Sequence, residues 1–270
     1  MLKLALEGSL SKLYRRSSPT LCAFNEISTY NEAIKEKRKK LEKELKKCEK
    51  EFKLEKDKDK KAFFKSQIQI LKKELTKCKE ITPLNSTEAP FTIPNSWAWV
   101  KLGDICEIRL GKTPPRDTKI YWNSNDYQWV SIADMGESKI LTQTKEHISQ
   151  AGREKCFGDF IFKKGTLLLS FKLTIGKVAF LGFDGFHNEG IASVLPLLHA
   201  ENEQIFKEFL FHFLPPLTQL CESTGAIKGE TLNKQKLNNL SIPLPPLKEQ
   251  NEITQTLDTL FTLKKGLRVD

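Results

Sequence analysis

The stretch Ile242-Pro243-Leu244-Pro245-Pro246-Leu247-Lys248-Glu249-Gln250 divides this chain into two textures, globular before it and helical after it. Three prolines in four positions cannot occupy a helix interior, because each lacks an N–H and its ring clashes with the preceding turn. A proline at the first helical position is well tolerated, so Pro246 can open a helix that Lys248-Glu249-Gln250 continues. Beyond it Ile253, Leu257, Leu260, Phe261 and Leu267 recur at mostly three- and four-residue spacing, an apolar stripe for packing on another helix. That helix either closes on its own domain or meets an element elsewhere.

Upstream, strand-length apolar runs are flanked by glycine: Gly165-Thr166-Leu167-Leu168-Leu169-Ser170-Phe171 and Gly176-Lys177-Val178-Ala179-Phe180-Leu181. Ile191-Ala192-Ser193-Val194-Leu195 is a third, and Trp97 to Ile105 begins the region. Ile205 to Leu214 reads as a helix stopped by Pro215-Pro216. The spacing predicts a mixed α+β domain from Phe91 to about Leu240. Pro83 to Pro94, with three prolines, is a linker.

Asn31 to Thr82 contains neither Gly nor Pro. Leu41, Leu45, Cys48 and Phe52 step by 4, 3, 4, and Phe64, Ile68, Leu71, Leu75 and Cys78 by 4, 3, 4, 3, which is coiled-coil spacing. The stripes are 12 residues apart, out of phase for one heptad, with Lys56-Asp57-Lys58-Asp59-Lys60-Lys61 between them. An antiparallel arm folded over that tip is expected, a single staggered helix being the alternative. At the N-terminus Leu2, Leu6, Leu10 and Leu13 form a short amphipathic stripe that needs a docking partner.

The net charge is +10, but residues 31–80 hold 19 Lys or Arg against 11 Asp or Glu, leaving only +2 for the rest. The basic excess belongs to one segment, read as a solvated face or as an arm that attracts phosphate. Mean hydropathy is −0.42 and no apolar run approaches the roughly 20 residues of a membrane span. Met1 to Leu6 is interrupted too soon for a signal peptide. The six cysteines (22, 48, 78, 106, 156, 221) form no C-x-x-C pair, so free thiols in a cytoplasmic, reducing compartment are expected.

Catalytic signatures are missing. Gly111-Lys112-Thr113 resembles the end of a phosphate loop, but Cys106 stands where its first glycine is required. There is no G-x-G-x-x-G and no Asn-Pro-Pro-aromatic motif of amino-methyltransferases. Asp134 with Glu137-Ser138-Lys139 is a nuclease-like triplet that a Glu- and Lys-rich chain produces by chance. The histidines 147, 187, 199 and 212 are scattered. No catalytic or metal-ligating residue is assigned. What remains is binding chemistry, in loops that combine glycine, hydroxyl and cation: 111–116, 172–177 and 223–231. Glycine lets backbone N–H groups approach phosphate, Lys and Arg add charge, and Ser, Thr and Asn can read base edges.

In order along the chain, Ile93-Pro94-x-x-Trp97-x-Trp99-Val100-x-Leu102-Gly103-Asp104-Ile105 is similar to the entry of a target recognition domain in specificity subunits of type I restriction–modification enzymes. Trp129-Val130-Ser131-Ile132-x-Asp134-Met135, Thr174-Ile175-Gly176-Lys177-Val178 and Asn188-Glu189-Gly190-Ile191 resemble that family's internal landmarks. Ser223-Thr224-Gly225 followed by 242–250 resembles its exit into a helical spacer, and Leu4-Ala5-Leu6-Glu7-Gly8-Ser9-Leu10 the far end of such a spacer. Members commonly carry two recognition domains, whereas this chain has one and its spacer is split between its ends. Glu189 also stands where the landmark has glutamine.

The resemblance implies a spacer end over 1–17, a basic coiled-coil arm over 18–82, a linker over 83–92, a recognition domain over 93–243 and a spacer start over 244–270. It implies a non-catalytic subunit that reads one half of a bipartite double-stranded DNA target for modification and restriction subunits. Those partners would hold S-adenosylmethionine, ATP and Mg. Lys112, Thr113, Arg116, Lys172, Thr174, Lys177, Ser223, Thr224 and Lys228 would contact DNA. Leu2, Leu6, Leu10, Leu13, Ile253, Leu257, Leu260 and Leu267 would form a seam with a second copy or related subunit. The competing readings are a coiled-coil scaffold whose globule binds protein, and a truncated subunit that no longer assembles.

Overall fold

The structure is a computed structural model. It describes residues 1–270 except 86, 123, 137, 224–231 and 268–270, with only the backbone given at 221–223 and 265. Two compact units result, one formed by 22–82 and the other by 1–21 together with 83–270. Two short helices, α1 (Leu2–Leu6) and α2 (Lys12–Ser17), precede the long helices α3 (Ala23–Leu54) and α4 (Lys58–Lys77). Then follow β1 (Ala98–Lys101), α5 (Leu102–Ile105), β2 (Cys106–Leu110), β3 (Tyr127–Val130), β4 (Ile140–Leu141) and β5 (Glu146–Ile148). After α6 (Gln150–Phe157) come β6 (Leu167–Ser170), β7 (Val178–Leu181), β8 (Phe186–His187) and β9 (Ile191–Pro196). The chain ends with α7 (Glu203–Ser223), α8 (Lys234–Asn238), β10 (Ser241–Leu244) and α9 (Leu247–Gly266). No helix among the described residues is long and apolar enough to cross a membrane.

The unit 22–82 is a helical hairpin. The turn falls at 55–57, where Asp57 caps α4 by accepting the N–H groups of Asp59 and Lys60 at 2.9 and 3.0 Å. The twelve-residue phase slip is resolved by folding back, so both stripes are partly buried in one seam. Ion pairs cross it, Lys35–Glu80 at 3.2 Å and Lys72–Glu49 at 3.2 Å, and the Asn31 amide exchanges two hydrogen bonds with the Ile81 backbone.

The other unit is an α+β domain with a five-stranded sheet ordered β2-β9-β6-β7-β4 and a three-stranded sheet ordered β5-β3-β8. Its core draws on both, with Trp129 and Phe186 from the smaller sheet and Leu168, Ala179 and Ile191 from the larger. The three glycine-flanked apolar runs form β6, β7 and β9, three adjacent strands of the larger sheet. The proline-rich stretch begins as β10, pairing antiparallel with β1 so that Pro243 lies opposite Trp99. A proline fits there because this ribbon has only two strands and every residue lies at an edge.

Helix α7 corrects the expectation of a stop at Pro215-Pro216, for it continues to Ser223. Two prolines cost the helix at least about 3 kcal/mol. Phe206, Phe209, Leu210, Phe213, Leu214 and Leu217 are all at most 2% exposed, and each buried side chain contributes about 1.5–3 kcal/mol. Burial outweighs the lost N–H groups.

The N-terminal stripe is two helices, broken at Gly8. That residue has φ +74°, and a Cβ there would lie 2.5 Å from the Pro94 ring. Among the proposed seam residues, Leu6, Ile253 and Leu257 are buried inside this chain, with α9 packed on α7. They cannot meet a second copy unless the domain opens. Leu2, Leu10 and Leu260 are half-buried, while Leu13 and Leu267 are 78% and 85% exposed. The Glu249 carboxylate, 1% exposed, accepts from Arg15 Nη1 at 2.5 Å and Ser11 Oγ at 2.7 Å, and Arg15 Nη2 donates to the Gly8 carbonyl at 2.8 Å. Arg15→Met leaves a buried carboxylate without its cation, so chemical denaturation should show a loss of about 3 kcal/mol, whereas Glu7→Gln, on the surface, should change stability little.

Candidate nucleic-acid interface

Strand register decides which loops meet. Leu110 at the end of β2 faces Ala192 near the start of β9, and Ser170 at the end of β6 faces Ile191. Leu169 pairs with Val178, the first residue of β7, and Val130 at the end of β3 with His187. The loops after β2, β6 and β8 therefore emerge at one end of the sheets. They carry Lys112, Thr113 and Arg116, then Lys172, Thr174 and Lys177, then Asn188, Glu189 and Gly190.

Close backbone approaches build this end. The Lys112 N–H donates to the His187 carbonyl at 2.9 Å, and the Trp129 indole N–H donates to the Lys112 carbonyl at 3.0 Å. A Cβ on Gly111 would lie 1.8 Å from the His187 carbonyl oxygen, so only glycine fits. In the second loop Ser170 Oγ donates to the Thr174 carbonyl at 2.5 Å and accepts the Lys177 N–H at 3.0 Å. Leu173 at its tip has φ +59° and is 96% exposed, an apolar side chain on left-handed backbone next in the chain to Lys172. Gly176 at φ +86° lies against Thr218 on α7.

Glu189 is the electrostatic centre. The Thr113 hydroxyl donates to its carboxylate, and the charges of Lys172 and Arg116 act on it. Partial burial pushes its pKa up, but the Thr113 hydrogen bond, a backbone N–H and those two cations outweigh it, so the net shift is downward. Arg116 is occupied within its own domain. It is paired with both Glu146 oxygens, and its guanidinium lies 4.0 Å from the Trp122 ring centroid and 4.8 Å from that of Trp129. Trp122 and Trp129 serve this clamp and the core. Trp122 and Trp129 meet edge to face at 5.0 Å, and Trp129 is 1% exposed.

Six of the nine sequence-derived contact candidates thus gather at one end. The side chain of Ser223 lies outside the described residues, as do Thr224 and Lys228. Glu189 and Leu173 escaped the candidate set because an acid and a leucine do not signal phosphate binding. The nuclease-like triplet dissolves where it is described. Asp134 accepts the Ser131 N–H and hydroxyl at 2.8 and 2.7 Å, while Lys139 turns to Glu208 on α7 at 2.7 Å. His187 is fully buried, its Nε2 2.7 Å from Ser193 Oγ, and burial pushes its pKa down to about 4. It is a neutral core group at pH 7. No group of three or more His, Cys, Asp or Glu among the described residues is placed to hold a metal. The arrangement suits an anion-binding surface with cations around one central carboxylate.

Comparison with known proteins gives the following. A family model described as "Type I restriction modification DNA specificity domain" matches residues 94–269. The chain is 28% identical over 181 residues to the type I restriction enzyme MjaIX specificity subunit of Methanocaldococcus jannaschii, covering 64% of this chain and 40% of that protein. It is 22% identical over 176 residues to the EcoR124I/EcoR124II specificity subunit of Escherichia coli, covering 63% and 42%. The crystal structure of the HsdS subunit from Thermoanaerobacter tengcongensis shares the fold at a TM-score of 0.50 and 21% identity, over 90% of this chain and 51% of that one. The chain spans less than half the length of these two curated relatives.

Because its folded pKa is lowered, Glu189 contributes stability that is present above the ordinary carboxylate value of 4.5 and lost as pH falls through the lower folded value. Denaturation midpoints should therefore drop on acidification below pH 4.5, and Glu189→Gln should flatten that part of the profile. Gly111→Ala should unfold the domain or lower its stability by several kcal/mol, since backbone must move.

Proposed function

The chain belongs to the type I restriction–modification DNA specificity family, and from that premise we propose that it is a sequence-specific DNA-binding subunit. Its sheet-end surface reads one half of a bipartite target, and its helices set the distance to the other half. The observation that carries this is the convergence of Lys112, Thr113, Lys172, Thr174 and Lys177 on loops held by strand register and a glycine contact. Cations and hydroxyls at fixed positions supply both phosphate anchoring and base-edge hydrogen bonds. Arg116, clamped by Glu146 and two tryptophans, is a positioning residue rather than a phosphate ligand.

Methyl transfer, ATP use and cleavage are assigned to modification and restriction subunits, with S-adenosylmethionine, ATP and Mg bound there. This chain directs them to the site. A second half comes from another copy or a related specificity subunit. The apolar side chains that support such a seam are Leu13, Leu263 and Leu267, each more than half exposed, together with half-buried Leu260. Two identical halves related by a dyad would select a symmetric split target.

The test is a mobility-shift selection on random duplexes with the modification subunit present. A split consensus is expected, and enrichment of no sequence would overturn the reading. Each neutralised phosphate contributes roughly 0.9 to the slope of log affinity against log salt. Lys172→Ala and Lys177→Ala should each lower that slope by about one phosphate's share, on target and unrelated duplexes alike. Unchanged slopes in both variants would remove these loops from the interface.

A further inference from the structure

Both helices of the 22–82 hairpin are net basic, and on α3 the lysines are ordered along one face. On α3, Lys39, Lys43, Lys46, Lys50 and Lys53 step by 4, 3, 4, 3, the same rhythm as the apolar residues Leu41, Leu45, Cys48 and Phe52. At about 100° per residue, the centres of the two sets fall on opposite sides of the helix. Lys40 and Lys47 flank the lysine row, and all seven lysines are exposed. The acids in this stretch of α3, Glu42, Glu44, Glu49 and Glu51, project to the sides at the same pitch. Two of them are engaged there, Glu42 with Arg38 at 3.1 Å and Glu49 with Lys72 at 3.2 Å. Lys39 meets Glu36 at 2.9 Å, while Lys43, Lys46, Lys47, Lys50 and Lys53 make no ion pair with another described residue. The outcome is a lysine row about 21 Å long, by helical rise, with no ion pair from Lys43 onward among the described residues.

Such a row works against the helix that carries it, since like charges at i, i+4 are destabilising. An i, i+4 glutamate relieves it, as between Arg38 and Glu42, and Glu42 and Glu49 stand four before Lys46 and Lys53, but Lys43 and Lys50 have no acid three or four positions away. We propose that this lysine face binds the phosphate backbone of duplex DNA without reading sequence, adding affinity to the recognition domain. The inference rests on the DNA-binding reading above and adds a second DNA-facing surface to it. A membrane is disfavoured because interfacial helices bury an apolar face. Here the apolar stripe is partly buried against α4, and the lysine face from Lys39 to Lys53 carries no apolar side chain.

The experiment uses the full chain with its modification subunit, and duplexes with and without the split target, titrated between about 50 and 200 mM salt. The variant is Lys43→Gln, Lys46→Gln, Lys47→Gln, Lys50→Gln and Lys53→Gln together. Glutamine keeps helix propensity, so circular dichroism should be unchanged. Binding to both duplexes should weaken by the same factor, about tenfold or more at the upper salt, with the slope reduced by roughly 0.9 for each phosphate no longer neutralised. The ratio of target to non-target affinity should stay constant. Arginine at the same five positions should preserve the slope, and Lys46→Gln or Lys50→Gln alone should shift it in the same direction by less.

Unchanged slopes in the five-fold variant would overturn the proposal while leaving the recognition reading intact. So would loss of the modification subunit at unchanged slopes, which would make the face a protein-docking surface. If the unaltered complex binds no duplex, both readings fall together.

Discussion

One buried acid ties the domain's exit to its entry. Glu249 lies in the first turn of α9, where the helix's N-terminal partial charge favours an anion. Burying a carboxylate costs several kcal/mol, and only a well-placed cation with further donors offsets that cost. Arg15 and Ser11 supply both from the N-terminal segment, while β10, just upstream, is paired with β1. Three stretches far apart in sequence therefore meet at one point: 8–15, 94–101 and 241–249. A helix leaving that point has its direction fixed by a carboxylate, an arginine and a two-stranded ribbon. For a molecule whose proposed task is to hold a recognition surface at a set span, this constraint converts local packing into geometry.

Much of the architecture was legible because local pattern and tertiary packing agree. The glycine-flanked runs became strands, and the out-of-phase stripes became a hairpin once the turn is placed at 55–57. Where the reading failed, tertiary packing overrode a local rule. Pro215-Pro216 should end a helix, yet six buried side chains on α7 hold it together through both. The leucines of 1–14 suggested one continuous stripe, but Gly8 packs against Pro94, eighty-six positions away in the sequence, and turns the chain. Three of the eight seam residues, Leu6, Ile253 and Leu257, are buried within this chain for the same reason. Periodicity identifies an apolar face and says nothing about which surface covers it, and here α7 of the same chain covers Ile253 and Leu257.

The candidate interface divides in a similar way. Residue chemistry singled the loops out as candidates, because each combines glycine, hydroxyl and cation. That the loops meet is a property of strand register, which links residues such as Leu110 and Ala192 across the whole domain and leaves no local trace. Glu189 shows the sharpest gap between type and role. An acid in the short Asn188-Glu189-Gly190 loop does not signal an anion-binding surface, but with Thr113 donating to it and Lys172 and Arg116 acting on it, it organises the cluster.

Charge is partitioned between the two units in a way that fits a division of labour. The hairpin segment 31–80 carries +8 and the remainder, recognition domain included, only +2. Phosphate attraction is blind to sequence, so a strongly basic reading surface would bind every duplex tightly and dilute its own discrimination. If the sheet end reads base edges as proposed, Glu189 amid its cations would lower that indiscriminate attraction there. If the lysine face of α3 binds phosphate as proposed, it would add affinity without touching the difference between right and wrong sequence. On that reading the hairpin contributes affinity alone, while the sheet end contributes both affinity and selectivity.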